Sequence, residues 1–272
     1  MKKIPLSLII GGVITGTLVG AAIVSQFWTP GDPTAMNITQ RMKGPGVSGL
    51  LGTDQIGRDV FSIIMAGAFT SLGIAFLATL VGSTIGTIIG VAAAAVGGAF
   101  DRFVMAVNGV LFAFPPILSA ILLGALLGGG PRTAIIAIGL FMVPVFARIT
   151  RGAALQIWSR DFVQAARMAG KGPVLITAQH ILPNISAQLI VQLAIQTGLG
   201  ILSEAGLSYL GMSVAPPTPS WGRMLFESQT YISTAPHLVL APGLAICIAV
   251  LGLNLLGDGL RDLTDPRRSQ AS

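Results

Sequence analysis

Six long apolar stretches dominate this chain and restrict what it can become. A helix crossing a ~30 Å hydrocarbon core needs about 20 predominantly apolar residues. Such stretches run from Leu6 to Phe27, Ile63 to Phe100, Phe103 to Leu127, Thr133 to Ala147, Ile185 to Leu210 and Leu238 to Leu256. The second exceeds one crossing and is expected to begin as an interfacial segment. The fourth is short and interrupted by Pro144. Only 10% of the 272 residues are charged, against roughly 25% in soluble domains, so the chain lacks the polar surface that water demands. The expected fold class is an all-α membrane protein with about six transmembrane helices.

The Lys/Arg distribution orients these spans. With the N-terminus inside, the internal segments hold Lys2, Lys3, Arg102, Arg148, Arg151, Arg160, Arg167, Lys171, Arg261, Arg267 and Arg268. The external segments hold Arg41, Lys43, Arg58, Arg132 and Arg223. This asymmetry predicts both termini inside. The start, Met1-Lys2-Lys3 and an apolar run, imitates a signal peptide, but the run exceeds a signal core and no clear A-x-A site follows, so a retained helix is expected. Residues 1–62 then form a first helix and external loop, 63–258 a transmembrane core, and 259–272 an internal tail.

Several chemistries are excluded. The formal charge of +6 accompanies no dense basic cluster with interleaved aromatics, so nucleic acid is not an expected partner. Cys247 is alone, which rules out an internal disulfide and a cysteine-based zinc site. His180 and His237 lie far apart without paired carboxylates, leaving no metal or triad constellation. The only Gly-Lys, Gly170-Lys171, is followed by Gly172 and preceded by Ala165 where a P-loop needs glycine, so the chain holds no nucleotide of its own. The chain reads as a non-enzyme.

Within the spans, Glu204 is the obvious ionisable group, a weak candidate for the substrate pathway. A transporter without an internal proton relay must draw work from elsewhere, which points to a cytoplasmic partner. Gly12, Gly16 and Gly20, like Gly82, Gly86 and Gly90, recur every fourth residue, and each series is expected to make a flat strip for close packing. Pro115-Pro116 and Pro242 are expected to break their helices locally.

The internal segment 152–183 is the most informative. Asp161–Ala169 lacks glycine and proline and predicts a short helix, with Phe162, Ala165, Ala166 and Ala169 spaced to give one small apolar face. Gly170 ends it and Pro173 prevents its continuation. From pattern alone such a helix either lies on the membrane or plugs into a groove on another protein.

Gln164-Ala165-Ala166, Gly170 and Leu182-Pro183 resemble the EAA loop of bacterial ABC importer permeases, with Gln164 standing where that family usually has Glu. Leu51-Gly52-Thr53-Asp54-Gln55-Ile56-Gly57-Arg58-Asp59-Val60 resembles the external motif of the C-type permease of dipeptide, oligopeptide and nickel importers. Glu204–Gly211 with Pro216-Pro217-Thr218-Pro219-Ser220-Trp221-Gly222, and Gly257–Asp262 with Asp265-Pro266-Arg267, resemble that family's later signatures. The motifs cover most of the chain in the family's order.

The resemblance implies a type I ABC importer permease fold with a cytoplasmic coupling helix, in the bacterial plasma (inner) membrane. It implies docking of an ATPase through Asp161, Gln164, Ala165, Ala166, Arg167, Gly170, His180, Leu182 and Pro183. Ala165, Ala166 and Gly170 are its close-contact positions, and the loss of charge at Gln164 weakens a salt bridge there. Asp54, Arg58, Asp59, Pro219 and Trp221 are implied to face an external solute-binding protein. Further implied partners are a homologous B-type permease forming a heterodimer, two ATPase subunits or one fused ATPase carrying ATP and Mg, and membrane lipid. Cargo by the same resemblance is a di- or oligopeptide, or a nickel chelate. Two rival readings are an independent secondary carrier or channel, and a structural membrane subunit of another complex. Read without the resemblance, Thr53-Asp54 with Arg58 is an ordinary helix start, and Pro216–Trp221 a rigid turn with an aromatic interface anchor.

Overall fold

A computed structural model describes residues 4–264, so Lys2, Lys3 and the signature Asp265-Pro266-Arg267, with Arg268, lie outside the described residues. The elements are α1 (Leu6–Val24), α2 (Val60–Val96), α3 (Gly98–Ala113), α4 (Pro116–Leu127), α5 (Pro131–Trp158), α6 (Asp161–Met168), α7 (Pro173–Ile176), α8 (Leu182–Tyr209), α9 (Trp221–Ser228) and α10 (His237–Thr264). Five helices are long and apolar enough to cross a membrane, counting α7 and α8 as one continuous run Pro173–Tyr209, and a bent α3–α4 pair makes a sixth.

The boundaries depart from expectation where proline or charge was taken as a stop. Pro144 and Pro242 lie buried inside α5 and α10 without ending them, because neighbouring helices can satisfy a freed carbonyl inside a bilayer. The fourth span is accordingly not short: α5 has 28 residues and reaches Trp158. α2 runs unbroken for 37 residues, roughly 55 Å of helix, without a separate interfacial segment. The Pro115-Pro116 region is a true break, with α3 and α4 meeting at 89°.

Glycine decides how the helices touch, and one of the two repeats makes the expected packing strip. An added Cβ at Gly82, Gly86 or Gly90 would stand 2.6, 2.5 or 2.6 Å from the carbonyls of Gly139, Val143 and Ala147. α2 and α5 therefore run parallel, backbone against backbone. At Gly12, Gly16 and Gly20 nothing lies within 4 Å, so that repeat is not a packing strip within this chain. The α1 contact belongs to Gly11 against the backbone of Leu256, while Gly252 meets Ile14 and Gly259 meets Leu8. These contacts make α1 and α10 antiparallel, so the start of α1 and the end of α10 share one end of the molecule. Gly257 packs on Ile195 and Gly198 on the Val250–Asn254 turn, which puts the start of α8, and α6 before it, at that same end. The arrangement is the one N-in, C-in topology requires.

Candidate functional site

At the α6 end, Val163 and Ala166 are buried and join Ala94, Ala153, Ala154, Ile176, Ile181 and Ile185 in one apolar cluster. The seam thus falls one residue away from the expected face. Phe162, Ala165 and Ala169 are exposed, as is Met168 at 90%, whereas Ala166 is turned into its own chain and is no free contact position. Gly170 adopts φ +81°. The Gly170 amide donates to the Arg167 carbonyl (2.9 Å) and the Lys171 amide to Ala166 (3.1 Å), the paired bonds of a Schellman cap, for which glycine is the favoured residue.

Gln164 has a local role that the motif did not reveal. Its Nε2 donates to the Trp158 carbonyl at 3.1 Å, tying α6 to the end of α5. A glutamate carboxylate could not donate there. His180 stacks edge-on to Phe162, with ring centres 6.0 Å apart, and lies 3.3 Å from Lys171 Nζ. Leu182 joins the apolar cluster and Pro183 is exposed. Thr177–Ile181 form a π turn immediately before Pro183, closed by the Leu182 amide on the Thr177 carbonyl. The wider turn accommodates a ring that would press on the carbonyl four residues back. One continuous run therefore joins α7 to the membrane-crossing α8, and α6 is tied to its start by the four-residue link 169–172. Of the docking residues expected, Asp161, Gln164, Ala165, Arg167, Gly170 and Pro183 lie on the surface.

At the opposite end, Asp54 organises a turn rather than a helix start. Its Oδ1 accepts from the amides of Ile56 (3.0 Å) and Arg58 (2.8 Å), and its Oδ2 pairs with Arg58 Nε at 2.6 Å. The helix starts six residues beyond Thr53-Asp54, at Val60, capped by Asp59, whose Oδ2 accepts from the Ser62 amide at 2.8 Å. Arg58 Nη2 reaches Glu227 Oε2 at 3.1 Å, and Arg223 Nε holds Glu227 Oε1 at 2.8 Å. This four-charge clasp joins the 28–59 loop to α9. Trp221 is fully buried, its indole N–H donating to the Ile64 carbonyl at 3.0 Å. It is a core anchor, neither an interface aromatic nor a side chain facing outward, and Asp54 is likewise buried. Arg58, Asp59 and Pro219 are partly exposed.

Glu204 is fully buried in α8. Ser213 Oγ donates to its Oε1 at 3.1 Å, and the Ser71 hydroxyl also stands against the carboxyl group. Beside it the Trp221 amide donates to Ser71 Oγ (3.1 Å), and Ser208 and Ser220 hydroxyls bond at 2.6 Å. These hydroxyl contacts pin the segment before α9 onto α2 and α8. No group of three or more potential metal ligands occurs among the described residues.

A separate cavity of about 400 Å³ opens between α3, α4, α5 and α8, walled by Phe112, Phe114 and Phe141, with Gln196 and Ser203 as its polar members. Nothing in the sequence marked this cavity, because it forms only where the bent α3–α4 pair stands away from α8.

The inward-facing MetNI methionine ABC transporter has the same fold: two crystal forms superpose with TM-scores of 0.61 and 0.63 at 21% and 19% identity, covering 73% and 75% of this chain and 95% and 97% of theirs. The glutathione transport system permease protein GsiD of Pectobacterium atrosepticum is 38% identical over 257 residues, covering 94% of this chain and 85% of the relative. GsiD of Escherichia coli is 40% identical over 251 residues, covering 92% and 83%. The family model described as "Binding-protein-dependent transport system inner membrane component" matches residues 86–270. With the fold, the relatives and the family model in agreement, this chain belongs to that family, as a multi-pass, non-catalytic permease subunit of a bacterial inner-membrane ABC importer of the peptide/nickel type.

Proposed function

We propose that the chain forms half of the translocation pathway of a peptide importer, paired with a homologous B-type permease and turned by two ATPase subunits, or one fused ATPase, docking at α6. The carrying observation is the construction of α6. Its inner seam is locked into the apolar cluster, its outer face of Phe162, Ala165, Met168 and Ala169 is uncovered, and it is bonded to the start of a helix that continues across the membrane. A push on α6 is therefore transmitted to α8 as a rigid-body tilt. The cavity walled by Phe141 with Gln196 and Ser203 is this chain's side of the pathway. The loop 28–59 and α9, joined by the Arg58–Glu227 clasp, receive the external solute-binding protein. Cargo is a small peptide: the relatives are named for glutathione, a tripeptide.

The test is Ala165→Trp. Ala165 is exposed and makes no buried contact in this chain, so the variant inserts normally. Loss of both transport and ATPase co-purification is expected. Co-purification of the ATPase at the wild-type level would overturn the docking assignment.

A further inference from the structure

Beside α6, on the side away from its exposed apolar face, a pocket of about 280 Å³ opens where α2 and α5 end. Ala94 and Ala95 of the last α2 turn, Trp158 at the end of α5, and Ile176 form its apolar part, and Arg167 and Lys171 supply its charge. No carboxylate lines it. The Arg167 guanidinium makes no ion pair or hydrogen bond among the described residues, whereas Arg151, two turns before Trp158, is already neutralised by Asp101. Lys171 Nζ donates to Gln179 Oε1 at 2.8 Å and lies 3.3 Å from His180 Nε2, which leaves one of its three donors unused. The indole N–H of Trp158, in the same wall, is buried without an acceptor. Two cations and an orphaned donor around one pocket describe a site that lacks its anion.

The depth of the pocket identifies the anion. α2 is apolar through Val96, with Val96 and Phe100 exposed beside the pocket, while Arg148 and Arg151 mark the hydrocarbon edge of α5 before it ends at Trp158, so the pocket lies past that edge, on the headgroup side. Tryptophan favours that level, and basic pockets between spans on the cytoplasmic side hold lipid phosphates. We propose that Arg167, Lys171 and Trp158 form a site for a phosphate anion, and that its source is an anionic phospholipid of the inner leaflet. The lipid then lies against the inner flank of the coupling helix and braces it from the membrane side. The proposal rests on the orientation that puts α6 in the cytoplasm, but not on α6 docking an ATPase.

The experiment uses the purified importer complex in phosphatidylcholine nanodiscs with increasing phosphatidylglycerol, and counts lipid retained by native mass spectrometry. Lys171→Gln removes one charge, and Ala95→Leu fills the pocket without touching the charges; neither position lies on the exposed face of α6. Wild type is expected to retain one phosphatidylglycerol per copy of this chain. Lys171→Gln should require about five-fold more of that lipid, and Ala95→Leu should not hold it. Inorganic phosphate is added in pure phosphatidylcholine: binding with the same dependence on Lys171 would make free phosphate the source. Equal retention of phosphatidylglycerol by wild type and both variants, with no phosphate binding, would overturn the site. ATPase co-purification from the same preparations reports separately on docking.

Discussion

The α2–α5 seam offers the sharpest test of how this fold is held together. A methyl group at Gly86 would stand 2.5 Å from the Val143 carbonyl oxygen and 2.7 Å from Phe146 Cβ, and neither neighbour is the end of a flexible chain. Restoring ordinary contact moves the helices apart by about 0.8 Å, and a gap of 0.5–1 Å forfeits roughly a quarter to a half of each dispersion well along the seam. Gly82 and Gly90 sit one turn to either side in the same close contact, so the seam cannot open locally. Gly86→Ala should therefore destabilise by about 1–3 kcal/mol, as overpacked cores do. Gly16→Ala has nothing within 4 Å and should be neutral or gain up to about 1 kcal/mol from helix propensity. Melting of the detergent-purified chain, followed by loss of its monodisperse elution peak, resolves the pair, since each kcal/mol moves Tm by about 2–4 °C. Indistinguishable melting of the two variants would refute the backbone-to-backbone seam.

Other outcomes follow from the polar contacts. Arg58→Ala should cost about 1–3 kcal/mol, because it strips the clasp from buried Asp54 and from Glu227. It should also raise hydrogen exchange across residues 37–58, and unchanged exchange there would mean that the loop does not depend on the clasp. Glu204→Gln keeps an acceptor for Ser213 and should retain transport, whereas Glu204→Leu leaves that hydroxyl buried and unpaired and should cost about 1–3 kcal/mol. Equal transport loss in both variants would show that the carboxyl group itself is required. Trp221→Phe forfeits the bond to the Ile64 carbonyl and leaves a small cavity in the core and should lower stability by about 1–3 kcal/mol, read as Tm; a loss as large as in Trp221→Ala would point to a different role for the indole.

The spans were legible because twenty apolar residues in a row have few destinies, and α6 because Gly170 and Pro173 punctuate it in one dimension. What the chain could not disclose was azimuth. In a soluble helix the buried stripe is apolar and the outer face polar, so spacing identifies the packed side. In a bilayer the lipid-facing side is as apolar as the packed one, and that signal disappears. Gly12, Gly16 and Gly20 therefore looked equivalent to Gly82, Gly86 and Gly90, although only the second series meets another backbone, and the α1 contact fell to Gly11, outside the repeat. The same blindness applies at α6, where Phe162 and Ala165 fit an apolar face as well as Val163 and Ala166 do, yet only the latter pair reaches the cluster. Polar side chains carried their information differently. Gln164 read as a lost charge until its amide was seen to need a hydrogen to donate, and Trp221 read as an interface aromatic until its acceptor proved to be a carbonyl 157 residues away. A span's existence is written in its own residues; its facing is written in its neighbours. Substitutions that add a methyl to one glycine at a time are therefore the direct way to map which faces of these helices meet protein and which meet lipid.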